Sequence, residues 1–333
     1  MTATPDHPPK QKPTPTQKQQ PTPTPDQDPA RNQDPARNQD PAPDLAPAST
    51  PDYEESFVDR DGDRIALRGY PDPVGVPEAP VVLVWPAMGV RASYYAPFAA
   101  ALRTAGFAVV VADLRGTGAS TPAPSRASRY GYAELAGDVG AVLESLKPRL
   151  DGRRRILLGH SLGGQAALLH LALDPGVRVD GLALVAVGLP HWRAYPRSRR
   201  LPVLALTQFI HGCATALGTW PGWRFGGRQA RGVIRDWAYT ARTGRFPRLD
   251  GVDTEAAVRA VRTPVLAVSV DHDQYTPHET LDRLCDKLVA APVRRIRHTV
   301  ADSGVRLDHF RWVRSSTPIA AQVATFAADL PTR

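Results

Sequence analysis

The sequence predicts an α/β fold: a mostly parallel β-sheet with helices on both faces, interrupted by an inserted lid and preceded by a disordered, proline-rich tail. Three observations predict it. Short apolar runs alternate with amphipathic stretches of helical period from about Ser56 onward, as expected of strands buried on both faces between crossover helices. One such run gives way to a helical period at Gly159-His160-Ser161-Leu162-Gly163-Gly164, at the kind of strand end where these sheets present reactive groups. The composition also changes near residue 50, from proline, threonine, glutamine and aspartate to a globular mixture.

Residues 1–50 hold almost no large apolar side chain, and the hexad Gln-Asp-Pro-Ala-Arg-Asn runs from Gln27 and from Gln33 and restarts at Gln39. Such a segment cannot bury enough surface to offset its ordering entropy, so a disordered leader is expected. Residues 51–188 read as the first part of the folded core. Ser56-Phe57-Val58 and Ile65-Ala66-Leu67 flank Asp61-Gly62, a hairpin signal that would supply antiparallel edge strands. A buried strand follows at 81–85, then an irregular Pro86-Ala87-Met88-Gly89 loop and a helix over about 92–104. The strand at 107–112 closes in Asp113-Leu114-Arg115-Gly116-Thr117-Gly118. A helix over 132–146, a strand at 155–158, a helix over 164–173 and a strand at 181–187 continue the alternation.

Residues 189–255 break it. They are rich in Trp, Arg and Gly and lack strand patterning, and they stand between two consecutive sheet strands, so they are expected to form a lid over the sheet edge. The core resumes over 256–333, with a strand at 264–270, a helix over 279–290, a strand at 293–299 and a helix over 318–328. This order makes the loops at 86–91, 159–163, 271–277 and 302–310 neighbours in space.

Composition excludes several functions. The 333 residues, 42% hydrophobic, can build a sizeable core. No run approaches the roughly 20 apolar residues that span a bilayer, and no apolar signal segment opens the chain. Cys213 and Cys285 suggest neither a disulfide framework nor a metal cluster. A reduced, soluble, cytoplasmic protein without cofactor or metal is expected. The net charge is +8, and residues 189–250 alone carry eleven Arg against Asp236 and Asp250, a local excess of +9. No nucleic-acid motif accompanies this charge, so no nucleic-acid partner is expected. The arginines could attract an acidic substrate or an anionic membrane surface, or form a solvated face. The same insertion holds Trp192, Trp220, Trp223 and Trp237 of the six tryptophans, which suit either a lipophilic pocket or the lid's own core.

A Gly-x-Ser-x-Gly motif arises by chance about 0.1 times in a chain of this length at average composition. Here it also joins a strand to a helix, the context of a nucleophile elbow. That turn forces Ser161 into a strained backbone conformation, and Gly159 and Gly163 avoid the resulting clashes. The helix beginning near Leu162 aims its dipole at the oxyanion that acyl transfer forms. A serine nucleophile needs a base, and the base needs an orienting acid. The strand at 265–270 ends in Asp271-His272-Asp273, and only His278, His298 and His309 follow. His278 opens a helix and His298 falls within a strand pattern. His309 lies on the loop between the last strand and the last helix, where a base can reach the elbow.

From about Ser56 to its end the chain resembles the α/β-hydrolase superfamily, in its lipase-like and serine-aminopeptidase-like branch. The resemblance rests on Gly159-His160-Ser161-Leu162-Gly163-Gly164 and on Asp113-Leu114-Arg115-Gly116-Thr117-Gly118-Ala119-Ser120. Asp273, four residues before Pro277, and Asp308-His309-Phe310 are weaker marks of it. It implies Ser161 as nucleophile, Asp273 as acid and His309 as base, with Asp113 and Arg115 shaping a loop beside the site. Where relatives often carry His-Gly after the third strand, this chain has Trp85-Pro86-Ala87-Met88-Gly89. Pro86 has no N–H, which leaves Ala87 or Met88 to complete the oxyanion hole with Leu162; the family position points to Met88.

The leading reading is a serine hydrolase that cleaves a carboxylic ester, or a related thioester or amide, of a small-molecule acyl substrate through an acyl-enzyme. An acyltransferase or a peptidase on the same triad is the alternative within enzymes. A binding protein that kept the fold without the chemistry is the alternative outside them. The fold hosts many chemistries, so the substrate is not legible.

Overall fold

The computed structural model describes residues 52–331. The tail expected to be disordered, residues 1–50, lies outside the described residues. The first strands form the anticipated hairpin. β1 (Glu54–Arg60) pairs antiparallel with β2 (Asp63–Gly69). Asp61 and Gly62, at φ 55° and 81°, make the left-handed two-residue turn that matches strand twist.

The sheet then grows by alternation of strand and helix. β3 (Val81–Trp85), α1 (Ala96–Thr104), β4 (Ala108–Ala112), α2 (Tyr132–Ser145) and α3 (Lys147–Leu150) are followed by β5 (Arg155–His160), α4 (Leu162–Leu173) and β6 (Gly181–Val185). After the insertion come β9 (Val265–Val270), α8 (His278–Cys285), β10 (Val293–His298), α9 (Val300–Ser303) and α10 (Thr317–Asp329). The strand order β1-β2-β4-β3-β5-β6-β9-β10 is parallel from β4 to β10, with the hairpin antiparallel at one edge.

Period-two alternation sends each strand's side chains into two cores. Val81, Leu83, Trp85 and Leu157 pack with α2, α4 and α8 on one face. Val82, Val84, Ile156 and Leu158 pack with α1, α10 and Trp312 on the other. Because α4 is wrapped by protein on nearly every side, it shows no polar stripe, and its residues from Leu162 to Ala172 are buried.

The Asp-Leu-Arg-Gly-Thr-Gly segment after β4 has structural work. Asp113 accepts hydrogen bonds from the amides of Ala92 and Ala119, at 2.6 and 3.1 Å, tying the loop after β3 to the loop after β4. Burial pushes its carboxyl above the usual range against these bonds. Arg115, nearly excluded from solvent, holds the buried Asp138 of α2 through Nε and Nη2, at 2.9 and 2.6 Å, while its Nη1 reaches Asp63 at 2.6 Å. Asp138 also accepts from Arg60 at 2.6 Å. Asp138→Ala leaves a buried guanidinium short of its counter-charge, which costs about 3–5 kcal/mol. Urea unfolding should therefore show a lowered midpoint at unchanged slope; a loss well under 1 kcal/mol would mean that the pair contributes little.

The insertion between β6 and β9 differs from the reading of residues 189–255. It contains α5 (Arg197–Leu217), β7 (Thr219–Trp220), β8 (Gln229–Ala230), α6 (Arg231–Thr243) and α7 (Thr254–Ala260), so the segment read as strandless carries a short two-stranded ladder. The long α5 was hidden because Pro202 and Gly212 interrupt its pattern as helix breakers. Packing overrides them: Ile210 and Ala214 of α5 meet Trp220 and Ile234 in a small core. Of the four tryptophans here, Trp220 is buried in that core, Trp237 packs beside it and Trp223 stands exposed.

Candidate active site

The turn between β5 and α4 holds Ser161 at φ 51°, ψ −119°, a left-handed backbone that costs a non-glycine residue energy and persists only under surrounding constraint. Its neighbours show why the flanks are glycine. A Cβ on Gly163 would lie 2.3 Å from the Trp85 carbonyl oxygen, and one on Gly159 would lie 2.1 Å from the Gly164 Cα. The elbow is thus wedged against the end of β3, with Leu162 opening α4, where first-turn amides lack intrahelical partners.

The loop after β3 lies beside it. The Ala87 N–H donates to the Tyr95 hydroxyl at 2.9 Å, so the phenol proton is free to point at Nδ1 of His160, 2.7 Å away. Complete burial, aided by the nearby His309, pushes the His160 pKa well below the ordinary 6.5, keeping the ring a neutral acceptor. Burial likewise pushes the Tyr95 phenol far above its ordinary value, so it keeps its proton. Of the two amides left open by the sequence, Ala87 is therefore committed to Tyr95, whereas Met88 N–H has no hydrogen-bond partner among the described residues.

Across the cavity, β9 ends in the acidic loop. Asp273 Oδ2 lies 2.7 Å from His309 Nδ1, with both side chains almost wholly buried. Asp273 Oδ1 accepts the amides of Tyr275 and Thr276, each at 2.8 Å, and the Thr276 hydroxyl lies 2.6 Å from Oδ2. Burial raises the carboxyl's pKa, but the neighbouring His309 ring and these donors outweigh it and hold Asp273 below the usual range. An ionised Asp273 draws the imidazole proton to Nδ1 and leaves Nε2 with its lone pair. The ring is walled by His160, Phe310 and Tyr275, at centroid separations of 4.7, 4.8 and 5.2 Å.

Asp271, the neighbouring carboxylate, faces elsewhere: it accepts from Arg297 Nε at 2.6 Å and from the Val300 amide at 3.2 Å. His278 is half exposed beside Glu279, and His298 is buried at the end of β10; neither lines the cavity.

Ser161, Leu162, Met88 and His309 line one cavity of about 650 Å³. No hydrogen bond joins the Ser161 hydroxyl to His309 among the described residues; such contacts often tighten only around substrate. The insertion forms much of the cavity's wall, with Val203, Leu206 and Thr207 from α5, Phe225 from the loop before β8 and Trp237 from α6. It also touches the loop after β3, since a Cβ on Gly226 would lie 2.6 Å from Met88 Sδ. Sequence reasoning missed Thr276 and Tyr95. Thr276 carries the signal of a hydroxyl three residues beyond a loop aspartate, whereas Tyr95 carries none, because it reads as one more apolar helix residue.

Residues 77–298 match the model of the family described as serine aminopeptidase, S33. The chain belongs to that family. The matched segment includes Ser161 and Asp273 and ends before His309. RutD of Variovorax paradoxus (strain S110), provisionally named a carbamate hydrolase, is 39% identical over 112 residues, which is 33% of this chain and 39% of that protein. The enol-lactonase from Burkholderia xenovorans LB400 superposes with a TM-score of 0.54 at 20% identity, over 82% of this chain and all of its own. Est1E from Butyrivibrio proteoclasticus, solved with ferulic acid, superposes with a TM-score of 0.55 at 16% identity, over 81% of this chain and 98% of its own. This S33-family chain has the α/β-hydrolase fold. None of its described helices is long and apolar enough to cross a membrane.

Proposed function

We propose that this protein is a serine hydrolase that cleaves a carboxylic ester, or a related thioester or amide, through an acyl-enzyme on Ser161. The observation that carries the reading is the buried 2.7 Å contact of His309 Nδ1 with Asp273, made by a ring that opens on the same cavity as the strained Ser161. In this mechanism His309 Nε2 takes the Ser161 proton as Oγ attacks the substrate carbonyl. The Met88 and Leu162 amides donate to the resulting oxyanion. The tetrahedral adduct collapses, the bond to the leaving group breaks, and that group takes the proton from His309. Water then attacks the acyl-enzyme with the same base, releasing the acid and restoring the serine. Asp273 stays ionised and holds the imidazole in the required tautomer.

The provisional name of RutD, a carbamate hydrolase, is compatible with attack on an acyl carbon. The insertion over 189–255 serves as the lid in this reading, supported by its share of the cavity wall. The experiment is pre-steady-state hydrolysis of a p-nitrophenyl ester. Stoichiometric release of nitrophenol ahead of the steady state is expected wherever deacylation is the slower step. Turnover of esters that survives unchanged in Ser161→Ala would contradict the scheme.

A further inference from the structure

The cavity's charge is one-sided. Arg91, Arg199 and Arg224 line it, and among its described lining residues there is no aspartate or glutamate. The acid nearest the chemistry, Asp273, is buried and occupied by His309, Tyr275 and Thr276. The rest of the wall is largely apolar and aromatic, with Leu206, Phe225, Trp237 and Phe310. A half-buried charge among such walls, as at Arg199, acts through a lower effective dielectric than it would in water, so it selects more strongly between ligands of opposite charge. A substrate with a protonated amine, as an aminopeptidase requires, would meet this positive charge and no carboxylate among the described lining residues.

Resting on the serine-hydrolase reading above, we infer that this site takes esters that carry a carboxylate, and that Arg199 binds it. Arg199 stands on the stripe of α5 that faces the cavity, in register with Val203, Leu206 and Thr207, the i, i+4, i+7, i+8 face of a helix. It is half-buried and forms no ion pair among the described residues. Its guanidinium carbon sits 5.9 Å from the Tyr195 ring centroid, and the Tyr195 hydroxyl donates to the Tyr275 carbonyl at 2.6 Å. The arginine is thereby braced on the loop that carries Asp273. A guanidinium fork matches a carboxylate in geometry and in charge. Arg91, by contrast, is exposed and opens to solvent, where an ion pair contributes little.

The test compares mono-p-nitrophenyl esters of glutarate, adipate and suberate with neutral p-nitrophenyl esters of equal chain length. For the best-fitting length, kcat/KM of the carboxylated ester should exceed that of its neutral partner at least tenfold, mostly through KM. In Arg199→Gln that ratio should fall to about one, and in Arg199→Lys it should be partly kept. Because both esters are measured on the same protein, partial unfolding cancels in the ratio. Turnover that Ser161→Ala abolishes, but with no preference for the carboxylate at any length, would overturn this inference alone. A preference that survives Arg199→Gln would overturn the role of Arg199. Absence of turnover with every ester would overturn the hydrolase reading and this inference together.

Discussion

Ser161→Ala and His309→Ala are each expected to lower kcat on the order of 10⁴-fold or more, and the double mutant should be hardly worse than either. In the proposed mechanism the losses should not multiply, because the two side chains serve one event: without the base the hydroxyl is not activated, and without the hydroxyl the base has no proton to take. His309 is held for this by Asp273 and by rings on several sides, so its removal leaves the elbow standing. The strain at Ser161 is imposed by the wedge against Trp85 rather than by its own side chain. Circular dichroism should accordingly be unchanged in all three variants. Losses that multiply would assign His309 to a separate step.

Asp273→Asn is expected to lower kcat by about 10⁴-fold, while Asp271→Asn should change it less than tenfold. An asparagine can present its amide to Nδ1, which favours the tautomer with the proton on Nε2 and removes the lone pair that the serine proton needs. It also removes the charge that stabilises the imidazolium as it forms. Asp271 spends its oxygens on Arg297 and on the Val300 amide, so its loss loosens the turn after β10 and leaves the ring untouched. A severe loss in Asp271→Asn with a mild one in Asp273→Asn would reverse the assignment of the acid.

Most of the sheet was legible because burial on both faces leaves a plain signature. The run at 81–85 has no polar position to confuse it and becomes β3 at those bounds, and the glycines around Ser161 mark a turn that few other residues fit. The topology made His309 legible as well, since a loop between the last strand and the last helix returns to the elbow. What escaped was set by tertiary contact. The pattern of α5 is broken by Pro202 and Gly212 and is held by Ile210 and Ala214 against a neighbouring helix. The part of Tyr95 depends on one hydroxyl, placed between the Ala87 amide and His160 by residues far apart in the chain. Arg199 could be counted among the arginines of residues 189–255, but which of them faces the cavity follows from the phase of a helix the sequence did not disclose.

Labelling with a fluorophosphonate measures directly whether Ser161 is the activated nucleophile proposed above. The protein should take up one equivalent of the probe, and peptide mass analysis should find the adduct on the Ser161 peptide. Labelling should be slowed severely in His309→Ala and abolished in Ser161→Ala. A folded protein that takes up no probe, or that takes it up equally well without Ser161, would rule out Ser161 as the nucleophile.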